Sequence, residues 1–350
     1  MKVSSIGKFL DQPLLSNSLS RKMPLILASS AAAFGIKDTL EQQKDERKKR
    51  AVKNAIILGT ITLSSVLASR FIKIKGESLL DAIPKEKILL KQRQVIDNFV
   101  AENKNLAQDT VSILNKAKNK ILSLKDTDCL LEQISDKKNK DRLVTTLFGG
   151  KDDITSGKIL QEISKLSIMG FIPVASGILG GIAADKAIND YSKEKTTNKL
   201  KEGIYQFFAN IFLCNVGAGT FLYTAEKMHE KGLIKKLTPL KKTVVILGGI
   251  LSVGVFGGSH IANFIGNKVV NQIVDKFNKN DEKKQCKKEE RKPEALDIAL
   301  HTDDIATAGV LSGLKWIEPL LPVMYLVSGY RSAIGYRNTN LDKDKNHTHN

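Results

Sequence analysis

TVVILGGILSVGVFGGSHIANFIGN, residues 243–267, decides how the rest of the chain is read. It runs twenty-five residues without an Asp, Glu, Lys or Arg. Wound as an α-helix it would be about 37 Å long, against the roughly 30 Å of bilayer hydrocarbon. A soluble domain could bury one such helix at its centre. Several comparable runs, each fenced by lysines, argue for a membrane instead: 54–69, 166–184 and 203–225 are also free of charge.

Composition averages conceal this segregation. With 42% hydrophobic residues, 26% charged residues and a mean hydropathy of -0.16, the 350-residue chain resembles a soluble protein. Its net charge of +18 is spread over nearly every loop, not gathered on one face as nucleic-acid binding requires. Loop lysines beside apolar spans are attracted to anionic lipid headgroups by about 1 kcal/mol each near the surface. The expected partners are therefore the bilayer and its anionic headgroups, and no nucleic acid. Cys129, Cys214 and Cys286 stand apart, so neither a disulfide framework nor a metal pair is indicated.

Working outward gives a basic N-terminal segment, 1–22, weakly amphipathic and broken at Pro13. A first membrane hairpin follows over 23–72. Its first arm, 23–36, has only fourteen uncharged residues and reads as a marginal span or re-entrant segment. A signal peptide, with Arg21 and Lys22 before the small residues at 31–33, is the rival reading. Its second arm is 54–69, with Lys53 and Arg70 placed to snorkel to the interfaces.

Residues 73–165 differ, with eighteen Lys and Arg, fourteen Asp and Glu, and no long apolar run. They read as a polar helical insert. Leu89, Ile96, Phe99, Leu106, Ile113, Ala117 and Leu124 mark one face of a helix about forty residues long, interrupted by Gln92, Asn103, Thr110 and Lys120. A second helix follows the capping residues at 126–128, and a third starts at about 155. A second membrane hairpin spans 166–225. A third covers 243–330, with a charged connector at 268–304 and an interrupted apolar region at 305–330. The polar tail, 331–350, reads as disordered. GILGG at 177–181 and GVFGG at 254–258 hint at duplication. Positive charge in 37–50, 185–202 and 268–304 leans toward cytoplasmic hairpin loops.

The expected fold is thus all-α: a polytopic helical membrane bundle of five or six spans with an inserted polar helical domain. Its packing candidates are three GxxxG pairs, Gly177 with Gly181, Gly254 with Gly258, and Gly309 with Gly313. Such spacing strips side chains from one stripe so that another backbone can approach closely. The same faces could serve a homo-oligomer, and 73–165 could hold a protein partner.

Ionisable groups at membrane depth are costly and mark pathways by default. His260, with Asn263 three residues on, and Lys315 with Glu318 are the candidates for a polar pathway. Lys315 and Glu318 lie on one helix face, where they could neutralise each other, beside Pro319 and Pro322. The alternative sets Lys315, Trp316 and Glu318 among the headgroups.

No catalytic motif, cofactor site or metal site is legible. GGKDDITSGK at 149–158 has six residues between Gly150 and Gly157 where a phosphate loop has four, and Ile159 where it has Ser or Thr. His347 and His349 lie on the polar tail. The absence of a nucleophile motif weighs against an enzyme. The expectation is an integral membrane protein acting as a structural or interaction scaffold, with a transporter or channel as the alternative.

Overall fold

The computed structural model describes residues 13–71, 73–74, 77–78, 84–103, 105–121, 156–235, 237, 239–265, 268, 308 and 315–335. Among these the regular secondary structure is helical apart from a two-residue antiparallel pairing, β1 (Lys73–Ile74) with β2 (Glu77–Ser78). Three helices are long and apolar enough to cross a membrane. They are α2 (Arg47–Phe71), the stretch Ile163–Ala187 of α5 (Ser156–Ala187), and the continuous helix Lys193–Glu230. The last comprises α6 (Lys193–Phe207), a π-helical turn (Phe208–Phe212) and α7 (Leu213–Glu230).

The first hairpin pairs α1 (Pro13–Leu40) with α2. Four cations, Arg47 to Arg50, open α2, where the helix dipole disfavours positive charge by about 0.3–1 kcal/mol each. Two of them are put to use across the turn. Arg47 donates to the Leu40 carbonyl at the C-terminus of α1 and to the Gln42 carbonyl in the turn, and Arg50 pairs with Asp38 at 2.5 Å.

At the centre is α5, packed on α2 along one side and on α10 (Leu321–Ile334) along the other. The helix expected from about 155 and the span at 166–184 are this one continuous element. Two apolar cores result. Met23, Leu27, Ile57, Ile61, Leu326 and Ala333 close the first, and Leu166, Ile211, Leu222, Ile246, Leu321 and Tyr325 close the second. Large apolar side chains on the outside, among them Leu63, Leu179, Val244 and Phe264, remain exposed. Only 28% of the apolar window of α2 is buried. Each fully exposed side chain of this size forgoes about 1.5–3 kcal/mol of burial in water, a loss that lipid removes.

Two expectations are corrected. Residues 243–265 do not form a regular α-helix: α8 (Pro239–Gly249) gives way to a nine-residue π-helical segment (Ile250–Gly258) and then to α9 (Ser259–Ile265). Five glycines between 248 and 258 weaken the preference for α winding there. The matching glycines at 177–181 sit in regular α-helix, so the apparent repeat winds differently in its two copies.

The forty-residue helix of the insert is instead a hairpin, α3 (Lys85–Glu102) and α4 (Gln108–Ala117). Asn103 ends α3 by donating from its side chain to the Phe99 carbonyl. Folding back lets Ile96 and Phe99 of α3 and Leu114 of α4 bury almost completely. Gln92, which interrupts the apolar face in the linear reading, becomes a clasp. Its amide donates to the carbonyls of Ala117 and Lys120 at 2.8 and 2.9 Å. The expected second helix of the insert, the connector 268–304 beyond Lys268, and the tail beyond residue 335 lie outside the described residues.

Candidate functional site

A seam of buried polar side chains runs between α5, the α6–α7 helix and α10. Glu202, Gln206 and Asn210 recur every four residues on one face of the α6–α7 helix, all at most 1% exposed. Their side chains form a ladder. Asn210 Nδ2 donates to Gln206 Oε1 at 2.8 Å, and Gln206 Nε2 donates to Glu202 Oε1 at 2.7 Å. Arg331 of α10 lies 3.5 Å from the same Glu202 carboxylate, so the ladder ends on an ion pair.

Beyond Asn210 the π turn redirects the helix. In unbroken α winding Asn215 would sit about 140° around from Asn210. The i→i+5 winding brings it back toward the same side, where its amide donates to Ser167 of α5 at 3.3 Å. Aromatic stacking supports that winding. Phe207 and Phe212, five residues apart, stack with centroids 5.8 Å apart, and Phe171 meets Phe207 edge-on at 5.2 Å. Such pairs contribute about 0.5–1.5 kcal/mol beyond their burial.

Charges close the seam at both ends. Toward one end, Lys165 of α5 pairs with Glu318 of the 3-10 turn Lys315–Leu320. At the other, Asp185 near the C-terminus of α5 takes Lys53 of α2 on Oδ1 at 2.7 Å and Lys199 of α6 on Oδ2 at 2.5 Å. From Ser167 to Asp185 the seam covers about 27 Å of helix, close to the hydrocarbon thickness of a bilayer.

Beside that second end, Asp38 receives Arg50, and Asn54 Nδ2 donates to it at 2.8 Å. The Tyr330 hydroxyl of α10 lies 2.7 Å from Asn54 Oδ1 and 3.0 Å from Asp38 Oδ2. Burial alone would raise the Asp38 carboxyl. The hydrogen bonds from Arg50, Asn54 and Tyr330 outweigh it and hold the group at about 2. Asp190, in the turn between α5 and α6, is also held below the ordinary carboxylate range, first by its hydrogen bond from Lys195 and then by the charges of Lys195, Lys49 and Lys53. The turns at 37–50 and 185–202 therefore meet at the same end of the bundle.

The residues singled out in the sequence fall elsewhere. His260 is exposed on α9, which packs against α6 and the two π-helical segments. Asn263 and Lys315 are placed only by their backbone. Glu318 is buried and pairs with Lys165 of α5. His260 is thus at the surface and Glu318 in the interior.

The glycine pairs meet other helices of the same chain. A Cβ on Gly177 would overlap the Gly329 carbonyl, and one on Gly181 the Ala333 carbonyl, so the stripe lies against the small pair Gly329 and Ala333 of α10. Gly254 faces Cys214, and Gly258 faces Ala209, on the α6–α7 helix. Gly309 and Gly313 lie outside the described residues. Among the described residues no group of three or more His, Cys, Asp or Glu side chains gathers to suggest a metal position.

The seam escaped the linear reading because Gln206, Asn210 and Asn215 are uncharged and sit inside the 203–225 run. The four-residue spacing from Glu202 to Asn210 was the available signal. Comparison with known protein families, curated proteins and solved structures gives no match for this chain.

Proposed function

We propose that the chain is an integral multi-pass membrane protein of five or six spans that serves as a structural and interaction scaffold. The three long apolar helices supply part of that count. α1, the helical stretch from 239 to 265, and the 3-10 turn with α10 are the further candidates. The observation that carries the scaffold reading is how the interior is closed. Polar groups at membrane depth are hydrogen-bonded to one another along α6 and α7, and the buried charges near the two ends of the seam sit in ion pairs. Such groups act as glue between helices in lipid. Partner recognition then falls to the insert 73–165 and to the basic loops, and lipid contact to the exposed apolar faces.

The test is deletion of residues 76–160 from the full chain, followed by alkaline extraction of membranes and affinity capture of partners. Retention in the membrane with loss of captured partners is the expected result. A deletion that abolishes membrane retention would make the insert part of the bundle and end the modular reading.

A second reading, a transporter or channel, is favoured by one feature: the polar seam reaches across most of the membrane-length helices. In that case Asn210→Leu should abolish solute flux in reconstituted vesicles while leaving the thermal midpoint nearly unchanged. A midpoint that falls, with no flux in the unaltered chain, assigns the ladder to helix packing. For self-association, two of the GxxxG pairs already face helices of the same chain. Among the described helical glycines, Gly59 of α2 and Gly248 of α8 stay open, since an added Cβ there would meet nothing.

A further inference from the structure

At the end where the turns 37–50 and 185–202 meet, one carboxylate serves two lysines. Asp185 and Lys199 have side chains 2% exposed, and Lys53 is 14% exposed, the most accessible of the three. Each lysine takes one oxygen of Asp185. Among the described residues neither has a further hydrogen-bond acceptor, so four of their six ammonium hydrogens are left without one there. The triad also carries one positive charge more than its carboxylate can balance. An uncompensated charge this deeply placed is costly unless a counter-charge or acceptor completes it.

The surroundings make the surplus larger. Lys195 pairs with Asp190 at 2.5 Å, and the field of exposed Lys49 reaches the same carboxylate. Four lysines from two helices thus stand over two aspartates. The N-terminus of α6, capped by Ser192, points its positive end toward the same turn. The site lies where helices of membrane length end, which in the membrane reading is the level of headgroup phosphates.

We propose that Lys53 and Lys199, held on Asp185, form an anion-binding site for a phosphate group, supplied by an anionic phospholipid headgroup that enters past Lys53. The reading of the source as lipid rests on the membrane assignment above, whereas the anion chemistry does not. The phosphate oxygens would accept the unused ammonium hydrogens and balance the surplus charge. Asp185 would act as the brace that keeps the two ammonium groups together.

The test uses the full chain in neutral detergent micelles, with thermal midpoint as readout. It is titrated separately with phosphatidylglycerol, with phosphatidylcholine and with inorganic phosphate, and compared with Lys53→Gln. That variant leaves the balanced Asp185–Lys199 pair in place. The expected result is a midpoint raised by phosphatidylglycerol and not by phosphatidylcholine, with apparent affinity about tenfold weaker in Lys53→Gln. Its lipid-free midpoint should be equal to or above that of the unaltered chain, because the surplus charge is gone. A response to inorganic phosphate as large as to the lipid would support the anion site and reassign its source to a soluble phosphate.

No response to either anion, or a response that Lys53→Gln leaves unchanged, overturns the proposal. So does a lipid-free midpoint that drops in the variant, since the triad is then an internal brace. Flotation of the chain with neutral vesicles reports the membrane assignment by itself. A chain that fails to float ends that assignment, and the phosphate titration still decides the site.

Discussion

The insert hairpin and the helical bundle differ in what they bury beside their apolar cores and in what they leave outside. In α3 and α4 the apolar residues Ile96, Phe99 and Leu114 are inside, and the charged pair Lys118–Asp97 is at the surface. Across α2, α5, the α6–α7 helix and α10 the apolar cores share the interior with buried polar groups, and large apolar side chains stay outside. Lys199, Glu202, Gln206 and Asn210 are inside, while Leu63, Leu179 and Phe71 face outward. We read the difference as one of solvent, water around the insert and lipid around the bundle. Water rewards burying apolar surface, so it drives the insert's core together. Lipid offers no such gain, so helices there associate through close backbone approach and internal hydrogen bonds.

That contrast is open to attack in order of expected effect. The largest should come from Gly177→Leu, which places a branched side chain against the Gly329 carbonyl. We expect a loss of more than about 4 kcal/mol, read as thermal unfolding and protease sensitivity in detergent. An unchanged midpoint would mean that α5 and α10 do not depend on close approach.

Phe99→Ala, which empties the core of the insert, should cost about 3 kcal/mol and confine its damage to α3 and α4. Limited proteolysis should then cut within 84–121 while the bundle stays protected. Cleavage spreading into α5 at the same rate would show the two regions folding as one.

Asp38→Asn sharpens the comparison from the polar side and should cost about 2 kcal/mol near neutral pH. Its folded value of about 2 lies below the ordinary 3.8. The stabilisation is therefore full above about pH 4 and is lost as pH falls through about 2. A pH titration of the midpoint should show this acid-side loss in the unaltered chain and a shallower one in the variant. Parallel curves would place the stabilisation in other groups.

The smallest effect is expected from Leu63→Ala, on the exposed face of α2. In lipid or detergent it should change the midpoint by less than about 0.5 kcal/mol, against the 2–5 kcal/mol of a buried leucine. A large loss would mean that another surface covers this face.

Much of the architecture was legible because it depends on local composition. Uncharged runs at 54–69, 166–184 and 203–225 coincide with the three long apolar helices, and the polar segment between the first two contains the hairpin α3–α4. What was not legible depends on which helices meet. His260 and Lys315 attracted attention as charges in apolar runs, yet His260 is exposed and Glu318 pairs with Lys165 of α5, far away in the sequence. Asp185 and Lys199 were read as ordinary loop charges, because nothing in the sequence says that the turns 37–50 and 185–202 adjoin. Gly329 with Ala333 was a readable small-residue pair whose significance appears only once Gly177 and Gly181 lie across from it.

By itself, then, the sequence determined that the chain is helical, segregated into apolar runs and polar connectors, and broken by a charged insert. Length and charge distribution are properties of each segment alone, and a bilayer or a water-filled surface selects on them directly. Only the tertiary structure decided that residues 243–265 wind partly as a π-helix, that the long insert helix folds back at Asn103, and that the polar interior follows Glu202, Gln206, Asn210 and Asn215. Those outcomes depend on contacts between segments far apart in the chain. A side chain's partner there is set by packing, and its spacing along one helix only proposes the face on which that partner will be found.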